Sequence, residues 1–137
     1  MRPYRLDEQI GFILRQATQR HAAIFASGIG GDLTPTQWAA LAKLHEAGPL
    51  SQNLLGRQTA MDAATIKGVV DRLTRRGLTM AEPDAADGRR LLVTLTAEGD
   101  ELVRRLTPHA RAVTAETLSP LTDREQQALA VLLLRLW

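Results

Sequence analysis

The sequence predicts a mainly α-helical fold with one small β wing, and three observations support this class. The stretch from Asp62 to Glu98 reads in succession as a helix, a strand, a polar turn and a second strand. On either side of it, apolar residues recur at helical spacing. A serine, threonine or aspartate precedes most of these periodic segments, as expected for helix N-caps. Together they predict a winged helix-turn-helix domain flanked by N- and C-terminal dimerisation helices.

Length and composition favour a soluble globular protein. The 137 residues suit one domain with helical extensions, and 45% are hydrophobic while 23% are charged. The absence of cysteine excludes disulfides, thiolate metal sites and thiol redox sensing. No apolar run approaches the roughly 18 residues of a membrane span, and the N-terminus lacks the apolar core of a secretory signal. We therefore expect a cytoplasmic protein with no membrane partner.

The first predicted helix runs from Leu6 to about Ser27, because its apolar residues form one stripe at helical spacing. Gly28, Gly30 and Gly31 then interrupt the pattern. Since no strand precedes these glycines and no Lys-Ser/Thr follows them, we interpret them as a connection and not as a phosphate-binding loop.

The second helix has a strong start signal in Thr34–Gln37. The threonine can cap the helix, the proline suits the first helical position, and the glutamine can complete a capping box. Gly48-Pro49 then predicts its end.

Ser51 and Asp62 define a helix-turn-helix. Ser51 opens a short helix to about Gln58, and Asp62 opens a helix that ends at Gly77. In this last helix the apolar residues form one stripe that must face the core, namely Ile66, Val69, Val70 and Leu73. The side chains left largely outward are Thr65, Lys67, Gly68, Arg72, Arg75 and Arg76. Thr65 and Lys67 can meet base edges or phosphates, whereas Arg72 is better placed for phosphate contact or internal pairing.

The segment from Leu78 to Leu95 predicts the wing. Leu78–Glu82 and Leu91–Leu95 read as strands around a polar tip that contains Asp87-Gly88-Arg89-Arg90. A narrow minor groove attracts an inserted guanidinium, and a carboxylate two residues earlier can orient it. We interpret the tip as a DNA contact; the alternative is an Asp-Gly hairpin turn with incidental surface charge.

Two helices are predicted after the wing. Thr96 opens a long helix in which Pro108 should produce a kink. Thr122 and Glu125 form a second capping box, which opens a last helix from Asp123 to Trp137.

The last predicted helix is apolar on more than one face, so several of its sides must be buried. A chain this small has little left to cover them, which predicts a homodimer joined through its terminal segments. We therefore divide the chain into a helical dimerisation region, residues 1–31 and 100–137, and a DNA-binding domain, residues 32–99.

Several motifs resemble the MarR family of winged-helix regulators. They are Gln52-Asn-Leu-Leu-Gly, Val70-Asp-Arg-Leu with Arg76-Gly-Leu, Asp84-x-x-Asp87-Gly-Arg89-Arg90, and Leu95-Thr-x-x-Gly99. The match runs from about Thr34 to Gly99, and the helix order extends it over the whole chain. The resemblance implies a dimeric transcriptional regulator, usually a repressor, that binds a pseudo-palindromic double-stranded DNA operator and releases it when a small molecule binds.

The same resemblance implies roles for single residues. Ser51 and Gln52 would lie near phosphates, and Arg89, held by Asp87 and followed by Arg90, would enter the minor groove. The residues that would face the major groove are Ala63, Thr65, Lys67 and Gly68. Many members carry an arginine where this chain has Gly68, so the operator sequence of other members does not transfer.

The resemblance also implies a small aromatic effector, because members often bind phenolic or aromatic carboxylate compounds between the dimer helices and the DNA-binding lobe. The candidate ligand residues are Arg15, His21, Trp38 and His45. An aromatic floor with a histidine or arginine anchor would suit an anionic ring. The alternative is that Trp38 belongs to the core and that the histidines are satisfied, partly buried side chains.

Three other functions are weighed against this reading. An enzyme is not expected, because the chain has no nucleophile motif and no glycine-rich loop after a strand, and no cofactor is expected either. A metal-responsive regulator is a weak alternative, since His21, His45 and His109 are far apart in sequence. A winged-helix dimer that acts through protein–protein contacts is a further alternative, although tip arginines have no evident purpose in an apolar interface.

Overall fold

The computed structural model describes residues 1–137 and contains six α-helices, a short 3-10 helix and one antiparallel pair of strands. The 3-10 helix is Leu6–Glu8. The α-helices are α1 (Ile10–Gly28), α2 (Pro35–Ala47), α3 (Gln52–Gln58), α4 (Ala63–Arg75), α5 (Ala97–Leu118) and α6 (Asp123–Leu134), and the strands are β1 (Thr79–Pro83) and β2 (Leu91–Leu95). The predicted fold class, mainly helical with a small β wing, is confirmed. None of the helices is long and apolar enough to cross a membrane.

Predicted capping residues begin the helices. The Thr34 hydroxyl accepts the Gln37 N–H at 3.2 Å, and the Gln37 side chain accepts the Thr34 N–H at 3.1 Å. Thr122 and Glu125 form the same reciprocal pair at the start of α6. Ser51 accepts the N–H of Leu54 at 3.3 Å. These caps satisfy N–H groups that a helix cannot pair internally, which is why the local sequence predicts where these helices start.

Two predicted helix ends need correction. α1 begins at Ile10, because the chain from Leu6 first forms a 3-10 turn. α6 ends at Leu134 and not at Trp137. Pro108 lies inside α5, which runs from Ala97 to Leu118, and the kink expected at this proline stays a prediction.

The chain divides into two compact units. The helical unit consists of Met1–Ile29 and His109–Trp137, and the winged-helix unit consists of Gly30–Pro108. The division inside α5 falls between Pro108 and His109, so the first half of that helix belongs with the winged-helix unit.

The winged-helix unit has one continuous apolar core built from α2, α3, α4, the wing and the first half of α5. Its most completely buried residues are Ala40, Leu41, Leu55, Ile66 and Leu73, all with 0% exposure. The whole predicted stripe of α4 is buried, as expected, and Trp38 packs against the core while remaining partly exposed. Burial of this stripe fixes which face of α4 is left for other contacts.

Backbone hydrogen bonds attach the wing to the start of α3. β1 and β2 pair with Thr79 opposite Leu95. Leu50, which precedes the α3 cap, donates its N–H to the Val93 carbonyl at 3.1 Å and accepts the Val93 N–H at 2.7 Å. The base of the wing is therefore held to the helix-turn-helix by two backbone bonds.

The helical unit buries few apolar side chains. Its buried hydrophobic residues are Phe25, Ile29 and Val113, and α6 contains no buried residue. Arg20 on α1 donates hydrogen bonds to the carbonyl oxygens of Thr117 at 2.6 Å and Glu116 at 3.0 Å, in the last turn of α5. These bonds satisfy carbonyls that the end of the helix leaves unpaired.

Candidate nucleic-acid interface

Asp62 fixes the first turn of α4. Its Oδ1 accepts the backbone N–H of Thr65 at 2.7 Å. This hydrogen bond holds the pKa of the Asp62 carboxyl below its ordinary value, so the cap stays ionised at the positive end of the helix. The cap thereby orders the turn that carries Ala63 and Thr65.

The outward face of α4 carries the residues predicted to face a major groove. Ala63, Thr65 and Lys67 are exposed, and Gly68 is half-buried. Lys67 Nζ forms a salt bridge with Asp71 Oδ2 at 2.9 Å, a pair that was not predicted. Opposite charges four residues apart on a helix are the signal that could have found it.

The arginines of α4 and its C-cap differ in what they contact. Arg76 is used internally, because it donates to the carbonyl oxygens of Asp32 at 3.0 Å and Gly31 at 2.7 Å. Arg72 and Arg75 make no side-chain hydrogen bond and no salt bridge with any other residue of the chain. These two arginines are therefore the cations of α4 whose guanidinium groups have no partner within the chain.

The wing tip, residues 84–90, is closed by a small network. The N–H of Arg90 donates to the Asp87 carbonyl, and the N–H of Asp84 donates to the Arg90 carbonyl, each at 2.9 Å. Asp87 Oδ1 accepts the backbone N–H of Arg89 at 3.1 Å and lies 3.5 Å from the Arg89 Nε. The carboxylate thus contacts both the backbone and the guanidinium of Arg89, as predicted for an oriented arginine.

The start of α3 and the wing border a polar cavity of about 430 Å³. Its lining residues are Ser51, Gln52, Asn53, Arg57, Arg90 and Leu91. Ser51 also uses its hydroxyl as the α3 cap. Arg57 is exposed, makes no salt bridge, and was absent from the predicted set. Its position four residues after Asn53, and so on the same side of α3, is the signal that could have found it.

The four candidate ligand residues fall into two units. In the helical unit Arg15 is exposed, and His21 Nδ1 lies 2.8 Å from the Thr117 hydroxyl. In the winged-helix unit Trp38 lies against the core, and His45 Nε2 lies 3.4 Å from a carboxylate oxygen of Asp100. Both histidines therefore have polar partners within their own unit. No group of three or more histidine, aspartate and glutamate side chains is arranged to hold a metal ion.

The model of the MarR family matches residues 33–91, from the residue before the α2 cap to the start of β2. The HTH-type transcriptional repressor NicR of Pseudomonas putida is 40% identical over 132 residues, which cover 96% of this chain and 84% of that protein.

Two solved structures share the fold over nearly their whole length. A probable transcriptional regulator from Pseudomonas aeruginosa has 59% identity and a TM-score of 0.94, with 97% of this chain and 100% of that chain covered. BpsR of Bordetella bronchiseptica, whose DNA binding is regulated by 6-hydroxynicotinic acid, has 40% identity and a TM-score of 0.93, with 98% and 97% covered.

Proposed function

This chain belongs to the MarR family, and from that premise we propose that it is a homodimeric transcriptional repressor that leaves a pseudo-palindromic operator when a small aromatic carboxylate binds. The wing tip is the observation that supports DNA binding most directly. The Arg89 side chain is 95% exposed, and the carboxylate that contacts it also accepts its backbone N–H. Such a tip presents an oriented guanidinium to a groove of high negative potential.

Residues of α4 support the same proposal from the major-groove side. Thr65 and Lys67 are exposed and lie on either side of the buried stripe. On DNA, Lys67 would exchange the Asp71 carboxylate for a phosphate or a base edge. An exposed helical ion pair of this kind contributes only about 0.3–0.5 kcal/mol, so the exchange costs little.

The polar cavity between α3 and the wing supplies phosphate contacts in this proposal. Arg57 and Arg90 both line it, and neither forms a salt bridge. Two cations without a carboxylate partner attract a phosphate, which fixes the position of a protein on duplex DNA without reading its sequence. Ser51 and Gln52 line the same cavity and are assigned to the same contact.

The homodimer is supported by the exposed apolar surface of the helical unit. On α6, Val131, Leu132 and Leu134 are 60%, 56% and 61% exposed, and Ile10 and Ile13 on α1 are 63% and 44% exposed. Exposed large apolar side chains in this number are typical of an interface that a second subunit covers. Two copies are also what a palindromic operator requires, because its half-sites lie about one helical turn, roughly 34 Å, apart.

For the effector we propose an aromatic carboxylate that carries a ring hydroxyl. BpsR, which is 40% identical to this chain, is regulated by 6-hydroxynicotinic acid, a compound of that class. Arg15 and His21 in the helical unit are the candidate anchors, since a free guanidinium binds a carboxylate through two parallel hydrogen bonds. Trp38 and His45 are retained as the candidates of the winged-helix unit.

The test is duplex binding by the purified full-length chain, followed by fluorescence anisotropy. The probe is a DNA duplex that is selected from a random-sequence library by its binding to the protein. Binding should fall steeply between 50 and 200 mM salt, by about 10³-fold or more if six or more phosphates are contacted. A chain that acts only through protein contacts would enrich no duplex.

The effector experiment adds 6-hydroxynicotinic acid to the complex, with 6-hydroxynicotinamide as the matched compound that keeps the ring hydroxyl and lacks only the carboxylate. The acid should release the duplex and the amide should not. Arg15→Ala should leave duplex binding intact and abolish release. Equal release by both compounds, or release that survives Arg15→Ala, would contradict the carboxylate assignment.

A further inference from the structure

Gly68 occupies the middle of the outward face of α4. At 3.6 residues per turn it lies nearly opposite the stripe formed by Ile66, Val69 and Leu73, which are at most 2% exposed. A side chain at this position would be the central one in any contact that the helix makes. The chain places none there, although glycine weakens a helix relative to alanine.

The guanidinium of Arg72 lies directly beside this position, within van der Waals contact of where a Cβ would be. A Cβ at position 68 would lie 3.4 Å from Arg72 Nη1 and 4.0 Å from Arg72 Cζ. Side chains of a helix lean toward its N-terminus, so an arginine four residues later reaches back over the glycine. Gly68 is half-buried despite facing outward, as expected for a residue under another side chain.

Arg72 is also uncommitted within the chain. Of the other cations on this part of the chain, Lys67 is bound by Asp71 and Arg76 by backbone carbonyls, while Arg75, like Arg72, has no partner. Asp32 lines the same cavity of about 390 Å³ as Arg72 but forms no salt bridge with it. All the guanidinium donors of Arg72 are therefore free for a ligand.

We propose that Arg72 reads a guanine in the major groove from the place that a side chain at position 68 would otherwise hold, with Gly68 as its positioning residue. The guanidinium fork matches the O6 and N7 acceptors of guanine in two parallel hydrogen bonds. This inference rests on the proposed function and names the residue that sets operator preference. It assigns to Arg72 more than the phosphate contact or internal pairing that its sequence position suggests.

The experiment compares Arg72→Ala, Gly68→Leu and the double variant on a duplex enriched by the wild-type chain. Leucine extends beyond Cβ and displaces the guanidinium, and it is a better helix former than glycine, so α4 is retained. Arg105→Ala removes an arginine that is also exposed, from α5 of the same unit, and serves as the charge control. Circular dichroism melting verifies that each variant is folded.

Arg72→Ala and Gly68→Leu should each weaken binding by about 5- to 150-fold for each half-site, the discrimination of one good bidentate base contact. Both should abolish the preference for the same base pair in each half-site, and the double variant should bind no more weakly than Arg72→Ala. Arg72→Lys keeps the charge without the planar fork, so it should lose the guanine preference and retain binding to unrelated duplex.

Equal losses of affinity on every duplex would overturn the assignment and leave Arg72 as a phosphate contact. Losses that add in the double variant would also overturn it, because Gly68 would then affect DNA binding independently of Arg72. A wild-type chain that enriches no duplex would instead remove the proposed function itself. If the base preferences of the enriched duplex are unchanged in Arg72→Ala, only the assignment of Arg72 to a guanine is wrong, and the proposed function stands.

Discussion

Asp87 contacts Arg89 through a single oxygen atom: Oδ1 of the aspartate accepts the arginine backbone N–H at 3.1 Å and lies 3.5 Å from its Nε. An exposed ion pair of this kind contributes little to folding, typically less than about 1 kcal/mol. The ion pair instead restricts the conformations of the Arg89 side chain, because an arginine on a hairpin turn otherwise samples many rotamers.

Arg89→Ala should therefore weaken operator binding by about 1–3 kcal/mol while the melting temperature stays unchanged. Asp87→Asn keeps an acceptor for the backbone N–H but removes the charge, so its loss should be smaller. Fluorescence anisotropy and circular dichroism give the two readouts. Unchanged affinity in Arg89→Ala would remove the wing from the mechanism.

Lys67 and Asp71 form a pair whose two members should have opposite effects on DNA binding. Lys67→Ala should cost about 1–3 kcal/mol of operator affinity if the lysine makes a good base contact. Asp71→Ala frees the ammonium that is held at 2.9 Å and removes an anion from the outward face, so it should tighten binding to any duplex. Weaker binding in both variants would show that the salt bridge itself is what positions Lys67.

Arg57→Ala should weaken binding to operator and unrelated duplex by the same factor, because a phosphate contact carries no sequence information. The slope of log affinity against log salt concentration should fall by about 1 for each protomer. Arg105→Ala on α5 is the matched control. A loss confined to the operator would instead make Arg57 a base-reading residue.

Prediction from sequence succeeded where the deciding interactions are local. Thr34 caps α2 through a residue three positions away, and Asp87 contacts Arg89 two positions away, so short motifs carry the full chemistry. The bond from Arg76 to the Gly31 carbonyl spans 45 residues and follows only from tertiary packing. The place of the Arg72 guanidinium over Gly68 depends on a side-chain rotamer, which spacing alone does not determine.

Asp62 should make the stability of the winged-helix unit depend on pH. Its pKa in the folded state is held below the ordinary value of 3.8 by the hydrogen bond from the Thr65 N–H. The sign follows from linkage: the contribution is complete above 3.8 and is lost as the pH falls through the lowered folded pKa. Asp62→Asn retains a capping oxygen without the charge, so it should melt below wild type near neutral pH.

The difference in melting temperature between wild type and Asp62→Asn should shrink below pH 3.8. Glu125, whose pKa is lowered by the hydrogen bond from the Thr122 N–H, titrates in both proteins and therefore cancels from the comparison. A difference that is constant with pH would show that the charge of Asp62 is irrelevant to the cap.

Removal of α6 tests whether the helical unit depends on a second copy. The full chain should elute with a mass near twice its 15.0 kDa in light scattering coupled to gel filtration. A chain that stops before Asp123 should aggregate or unfold, because Phe25, Ile29 and Val113 are the only buried hydrophobic residues that the helical unit retains. A well-folded, soluble monomer from this truncation would refute the dimer.

A point variant separates dimerisation from folding. Leu132 is 56% exposed in the single chain, so Leu132→Glu should disturb the fold of the single subunit less than a substitution in the core. It should nevertheless lower the dimer fraction, because it would bury an unpaired carboxylate in the apolar interface. Gln127→Glu adds the same charge to an exposed position of α6 and provides the control. Since each operator half-site needs its own reading helix, loss of the dimer in Leu132→Glu should also abolish tight binding to the palindromic duplex and leave only weak, salt-sensitive association.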